Sequence, residues 1–209
     1  MPYYIGHAAV QIKSRKKGDF MTVDALSLLR AQAANHILAD NRLTAACLAL
    51  DETAYMAPRR CFFGSIHGTL DHLVTTDARY WDRLTGTPHP PTDANPIEYA
   101  TRDAVIAAQR AGHARLKAIM ADLTPDALDR EVLLHETERW GRQADPVWIV
   151  LTHVFAHAVH HRGQIHDLLA QTEVKPPQID EFFLRMDRAD RAGEVAAAGV
   201  AAWMIDGKG

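Results

Sequence analysis

Three observations predict that this 209-residue chain is all-α, an antiparallel four-helix bundle. Four segments repeat their apolar residues at three- and four-residue steps, which gathers them on one helical face. No segment alternates apolar and polar residues convincingly enough for a strand. The connections between the periodic segments are of moderate length, as in a bundle of long helices. Hydrophobic residues make up 47% of the chain and charged residues 23%, which is ample material for a core and excludes wholesale disorder.

The first periodic segment runs from about Asp24 to Leu50, with Leu26, Leu29, Ala33, Ile37, Leu43, Cys47 and Leu50 on its stripe and many alanines between them. A loop with Pro58, Arg59 and Arg60 follows. Ser65 is the expected N-cap of the second helix, which carries Ile66, Leu70, Leu73, Tyr80, Trp81 and Leu84 and stops at Thr85-Gly86-Thr87-Pro88. The third helix, about Thr101 to Leu123, has the cleanest repeat: Ile106, Gln109, His113, Leu116, Met120 and Leu123. Thr124-Pro125-Asp126 opens a short turn. The polar, aperiodic stretch from Glu131 to Ala144, with Trp140 and Gly141, reads as an ordered loop. Asp145 as N-cap and Pro146 at the first helical position start the fourth helix, which runs to about Gln171. A charged segment from Asp180 to Arg191 and an alanine-rich end follow, the latter read as a helix that docks on a partner.

Residues 1–20 hold a basic run (Lys13, Arg15, Lys16, Lys17) without the apolar segment of a secretory signal, and are expected to be a flexible leader. The bundle is expected over residues 22–175 as one domain, with residues 176–209 a C-terminal extension. No window reaches the roughly 18 apolar residues of a membrane span. The balance of 23 basic and 26 acidic residues leaves no basic stripe for nucleic acid. Cys47 and Cys61, with no CxxC, read as free thiols of a cytoplasmic protein.

Histidine is the anomaly. There are twelve, and five lie between residues 153 and 166. Residues four apart stack on one face of a helix, so His157 and His161 aim their rings at one point. Val150, Val154, Gln164 and Leu168 share that apolar face, so the pair points inward. Two neutral imidazoles buried side by side each need a partner for the second nitrogen, and a divalent metal supplies one. The HExxH pattern is missing, as is the Glu-x-x-His pair of carboxylate di-iron bundles. A third ligand would come from His72, His36 or His113. His72 is best placed, between Leu70 and Leu73, while His36 and His113 also fit ordinary core positions. Gly68 and Gly163, each costly in a helix interior, are expected to mark close packing near this point.

Two stretches carry a resemblance. Phe63-Gly64-Ser65-Ile66-His67-Gly68-Thr69-Leu70-Asp71-His72-Leu73, with Asp77 and Trp81, resembles the second-helix motif of the DinB/YfiT-like metalloenzymes. His153-Val154-Phe155-Ala156-His157 and His160-His161-Arg162-Gly163-Gln164 resemble that family's last-helix motif. In the first helix Ala33, Ala34 and Leu38 stand where the family usually has aromatic residues. The resemblance covers roughly residues 22–175 and implies a homodimeric four-helix bundle with a three-histidine metal site, its ligands His72, His157 and His161. Members of the wider superfamily use a low-molecular-weight thiol in isomerase or S-transferase reactions. The expected function is therefore that of a metal-dependent enzyme. Zinc or nickel, or else iron or manganese, would activate a thiol or a water against a small-molecule substrate, with transfer ahead of hydrolysis. His160 is a candidate proton shuttle, Asp77 a candidate orienting residue and Arg162 a candidate for meeting an anionic group. The alternative is a non-catalytic metal-binding stress-response protein.

Overall fold

The computed structural model describes residues 24–87, 96–139, 141–180, 184 and 187–206. The expected leader at residues 1–20 lies outside the described residues, as does Trp140. Helix α1 (Ala25–Ala49) starts where the Asp24 carboxylate accepts from Ser27 N at 2.7 Å, and its predicted stripe of Leu26, Leu29, Ala33, Ile37, Leu43 and Cys47 is buried. Ser65 caps α3 (Ile66–Thr85) by accepting from Gly68 N at 2.9 Å, and Gly86 ends it in the left-handed region at φ 72°. Thr101 caps α4 (Arg102–Asp122), and a single 3-10 turn follows at Pro125–Asp129. Helix α5 spans Val147–Leu169. These four long helices pack in a closed circuit: α1 on α4 and α5, and α3 on α4 and α5. Among the described residues no helix is long and apolar enough to cross a membrane.

The protein is mostly helical, consistent with the all-α expectation, but the stretch from Glu131 to Ala144 that reads as a loop is corrected. Glu131–Thr137 (β1) and Gly141–Pro146 (β2) pair as an antiparallel hairpin, from Glu131 opposite Pro146 to Thr137 opposite Gly141, with a register shift between Leu133 and His135. The hairpin lies over the bundle; Val132 is buried in the core and Leu134 packs partly buried against it, while Leu133 stays largely exposed. A two-stranded ribbon with so little buried on either face shows no clean alternation of polarity.

The hairpin also moves the start of α5. Asp145 is drawn into β2 opposite Val132, so Pro146 takes the cap position and no side chain caps the helix. Val147 N instead donates to Arg130 O at 3.0 Å, which satisfies one of the helix's free amides. In the stretch read as loop, Asp51 caps a short helix α2 (Glu52–Met56) by accepting from Ala54 N at 2.7 Å.

Beyond α5, α6 (Arg188–Ala197) leads to α7 (Ala202–Asp206), which packs on α1. Val200 and Met204 are buried there, so the alanine-rich end docks on its own chain. Both cysteines are free, as expected, and burial pushes the Cys47 thiol up to about 12.

The core has two apolar lobes. One joins Leu26–Ala39 of α1 to the C-terminal half of α4, the N-terminal half of α5, and α7. The other joins Leu43 and Cys47 of α1, and Leu50 just beyond it, to α2, the N-terminal half of α3 and the C-terminal half of α5. Between them every long helix contributes buried polar side chains: His36, Asp40 and Thr44 from α1, Asp77 from α3, Gln109 and His113 from α4, His161 and Arg162 from α5.

Candidate metal centre

His72 projects from α3, and His157 and His161 project from successive turns of α5. Their Nε2 atoms converge: His157 Nε2 lies 3.3 Å from that of His72 and 3.0 Å from that of His161. The three donor atoms are close enough to share one ion, and the group could hold a metal.

The donor set passes a stricter test. His161 Nδ1 sits 2.7 Å from Gln164 Oε1, an oxygen that only accepts, so the imidazole proton is on Nδ1 and Nε2 presents a bare lone pair. At its other end the Gln164 amide, as oriented here, donates from Nε2 to His160 Nε2 at 3.1 Å. A neutral histidine whose outer nitrogen is held by an amide oxygen is preorganised to bind metal through the inner one. Burial, then the His161 and Arg79 charges, push His72 down to about 4. Burial, then the His161 and His72 charges, push His157 down to about 3. Burial likewise lowers His161. All three rings therefore keep a lone pair free for a cation at neutral pH.

The loop before α3 supplies the wall. Gly64, at φ 78°, turns the chain so that Arg59 N reaches Gly64 O at 2.7 Å. Phe63 then stacks on the His72 ring, with centroids 4.1 Å apart and planes inclined 21°, and meets His161 edge-on at 5.5 Å. Gly68 makes this possible, because a Cβ there would collide with the Phe63 carbonyl oxygen. The expected close packing is thus found at Gly68. At Gly163 it is overturned: a Cβ there would meet nothing within 4 Å. His67, next to Gly68, is taken up elsewhere, with Nδ1 3.3 Å from the Tyr55 hydroxyl.

The structure places the remaining candidates away from the three rings' meeting point. His160 is exposed; its ring meets His161 edge-on at 4.8 Å, and it is hydrogen-bonded to Gln164. Asp77 and Arg162 belong to the polar layer. Asp77 Oδ2 is 3.0 Å from His36 Nε2, and Arg162 Nη1 is 3.1 Å from Asp40 Oδ1 and 3.2 Å from His36 Nδ1. The anionic group that Arg162 meets here is Asp40.

Asp40, fully buried, was not singled out in the sequence. Its Oδ2 also receives His113 Nε2 at 3.0 Å and lies 3.2 Å from His36 Nε2. Burial alone would raise its carboxyl, but His36, His113 and Arg162 outweigh burial and hold it well below the usual range. Burial also opposes a charge on His36, yet Asp40 and Asp77 prevail and raise it. Burial pushes Asp77 up. The signal for Asp40 was its place four residues after His36, on the inner face of α1.

His36, Asp40 and His113 form a second group that could hold a metal. It differs from the first in containing a carboxylate already paired with a guanidinium. A cavity of about 510 Å³ opens beside His72, between α3, the Phe62–Gly64 loop and Pro96–Ile97. In sequence comparison, the model of the DinB family matches residues 21–192, which include α1 to α5. No curated protein matches the chain.

Proposed function

The chain belongs to the DinB family, and on that footing we propose that it is a metal-dependent enzyme whose single divalent ion is held by His72, His157 and His161 within an antiparallel four-helix bundle spanning residues 22–175, with residues 176–209 as an extension. The observation that carries this reading is the bare Nε2 of His161, fixed by Gln164 and facing the Nε2 atoms of the other two rings. The second group is the weaker candidate, because Arg162 already supplies a cation to Asp40. Zinc or nickel suits an all-imidazole set, with iron or manganese next.

When bound, a divalent ion with three protein ligands supplies Lewis acidity that makes a thiol or a water lose its proton near neutral pH. The chain's own residues do the rest. Gln164 keeps the proton on the outer nitrogen of His161, and His160, an exposed imidazole whose ring lies against His161, is the candidate proton acceptor. Phe63 shields one face of His72 from water. Arg162, pinned to Asp40, fixes the residue beside His161, and Asp77 adds its charge to the field at His161. The reaction we favour transfers a low-molecular-weight thiol to a small electrophile, ahead of hydrolysis, in a cytoplasmic homodimer.

A second reading rests on the ligands coming from two helices: the ion ties α3 to α5 and performs no chemistry. One experiment separates the two. Untagged protein is assayed for metal, loaded with cobalt, and titrated with a small thiol. The enzyme reading expects one ion per chain, its loss in His157→Ala, a thiolate-to-cobalt absorption band, and only modest destabilisation on chelation. A closed coordination sphere with strong destabilisation supports the tie. Metal content unchanged in His157→Ala overturns both.

A further inference from the structure

The cavity beside His72 has a floor made by one stripe of α3: Gly68, His72, Thr75 and Arg79, at steps of four, three and four residues. About 10 Å of helix axis separates His72 from Arg79, by the usual rise per residue. The roof is the Pro96–Ile97 segment, held down because Asp71's carboxylate accepts from Glu98 N at 3.2 Å and Tyr99 N at 2.8 Å. Asp71 lines the cavity, but its charge is occupied by those two amides. Phe62 and Ile97 present large exposed apolar surface at the mouth.

Two polar atoms in this wall lack partners among the described residues. Arg79 Nε is buried without a hydrogen-bond acceptor, and so is the hydroxyl of Thr75, itself only 8% exposed. Among the described residues the guanidinium has one partner, Glu98 Oε1, 3.2 Å from Nη2. That carboxylate is 41% exposed, so its hold on Arg79 is a weak, solvated one. A buried guanidinium edge and a hydroxyl left unsatisfied in a cavity of this size call for an acceptor from outside the chain.

We propose that the cavity binds a small molecule with an apolar body and a carboxylate, the carboxylate received by Arg79 and Thr75 at one end of the stripe and the reacting end directed toward His72 at the other. Phe62, Phe63 and Ile97 cover the apolar body, and Glu98 yields its place on Arg79 to the incoming acid. The direction of the molecule rests on the reading of His72 as a metal ligand; the carboxylate site itself does not.

The test uses the full chain, as purified and after chelation, with 3-phenylpropionate and its neutral counterpart 3-phenylpropanol as probes, their affinities read by NMR titration. The acid binds about tenfold or more tighter than the alcohol, as a charge-assisted pair requires. Arg79→Gln removes that preference, while Arg79→Lys keeps part of it. Glu98→Gln, an exposed change that leaves the fold alone, tightens binding of the acid severalfold by removing the competitor. Zinc binding by Arg79→Gln serves as the check that it is folded. Equal affinity for acid and alcohol, or a preference that survives Arg79→Gln, overturns the proposal. Failure of the metal reading looks different: metal content then ignores His157→Ala, while the acid preference and its loss in Arg79→Gln persist in chelated protein.

Discussion

Replacing Gly68 by alanine sets two known effects against each other, and the structure says which wins. Alanine gains up to about 1 kcal/mol over glycine in a helix, mostly by restricting the unfolded chain. At Gly68 the new Cβ falls on the Phe63 carbonyl oxygen, with the Phe63 carbonyl carbon at 3.3 Å and its Cβ at 3.4 Å. The obstacle is backbone, so the loop must retreat by something on the order of 1 Å to restore ordinary contact. Overpacking of this kind costs about 1–3 kcal/mol, which after the helical gain leaves a net loss of up to about 2 kcal/mol.

Gly163→Ala is the internal control, since its Cβ meets open space and only the gain of up to about 1 kcal/mol remains. Urea unfolding of metal-free protein measures both, and thermal melting shows shifts of about 2–4 °C per kcal/mol in opposite directions. Because Phe63 rides on the same loop and stacks on His72, zinc affinity falls about tenfold in Gly68→Ala and is unchanged in Gly163→Ala. Equal stabilisation by the two substitutions would refute the idea that Gly68 exists for the loop.

Other consequences are as direct. Gln164→Leu removes the acceptor that fixes His161's proton, so zinc affinity measured against a competing chelator drops about 10- to 100-fold while the fold persists. Asp40→Ala leaves Arg162 charged and buried, which costs about 3–5 kcal/mol in denaturant unfolding, and adding Arg162→Met returns part of it. Asp40's carboxyl is held below its unfolded value. Its contribution is therefore fully present above about pH 4 and lost as pH falls toward the folded value. The stability gap between wild type and Asp40→Asn is accordingly wide at pH 5 to 6 and narrows below about pH 4. His36 has the opposite sign: raised in the fold, it stabilises below about pH 6.5 and loses that contribution as pH rises through its folded value, a slope His36→Gln lacks.

The long helices could be read from the chain because each buries a continuous stripe, and burial at three- and four-residue steps leaves a strong pattern. The hairpin left none, since Val132 is its one fully buried apolar side chain and the polar strands lie on the surface. Five-residue α2 is too short to show a period. His157 and His161 were legible by spacing alone, whereas His72 needed the motif around it, because His36 and His113 occupy equally inward positions. Asp40 as the anionic partner of Arg162 escaped because the pairing is long-range: Arg162 is 122 residues from Asp40, and no local spacing brings the two together. Thr75 and Arg79 had the right steps from His72, but only a cavity over the helix shows what the stripe faces.

The layer of charged and polar side chains between the two apolar lobes works as a spline between the long helices. Sliding α1 past α5 by one turn would carry Asp40 away from Arg162 toward one of the apolar lobes and separate two buried, paired charges. The paired charges thereby oppose axial shear of the bundle and hold α1, α4 and α5 in a single register.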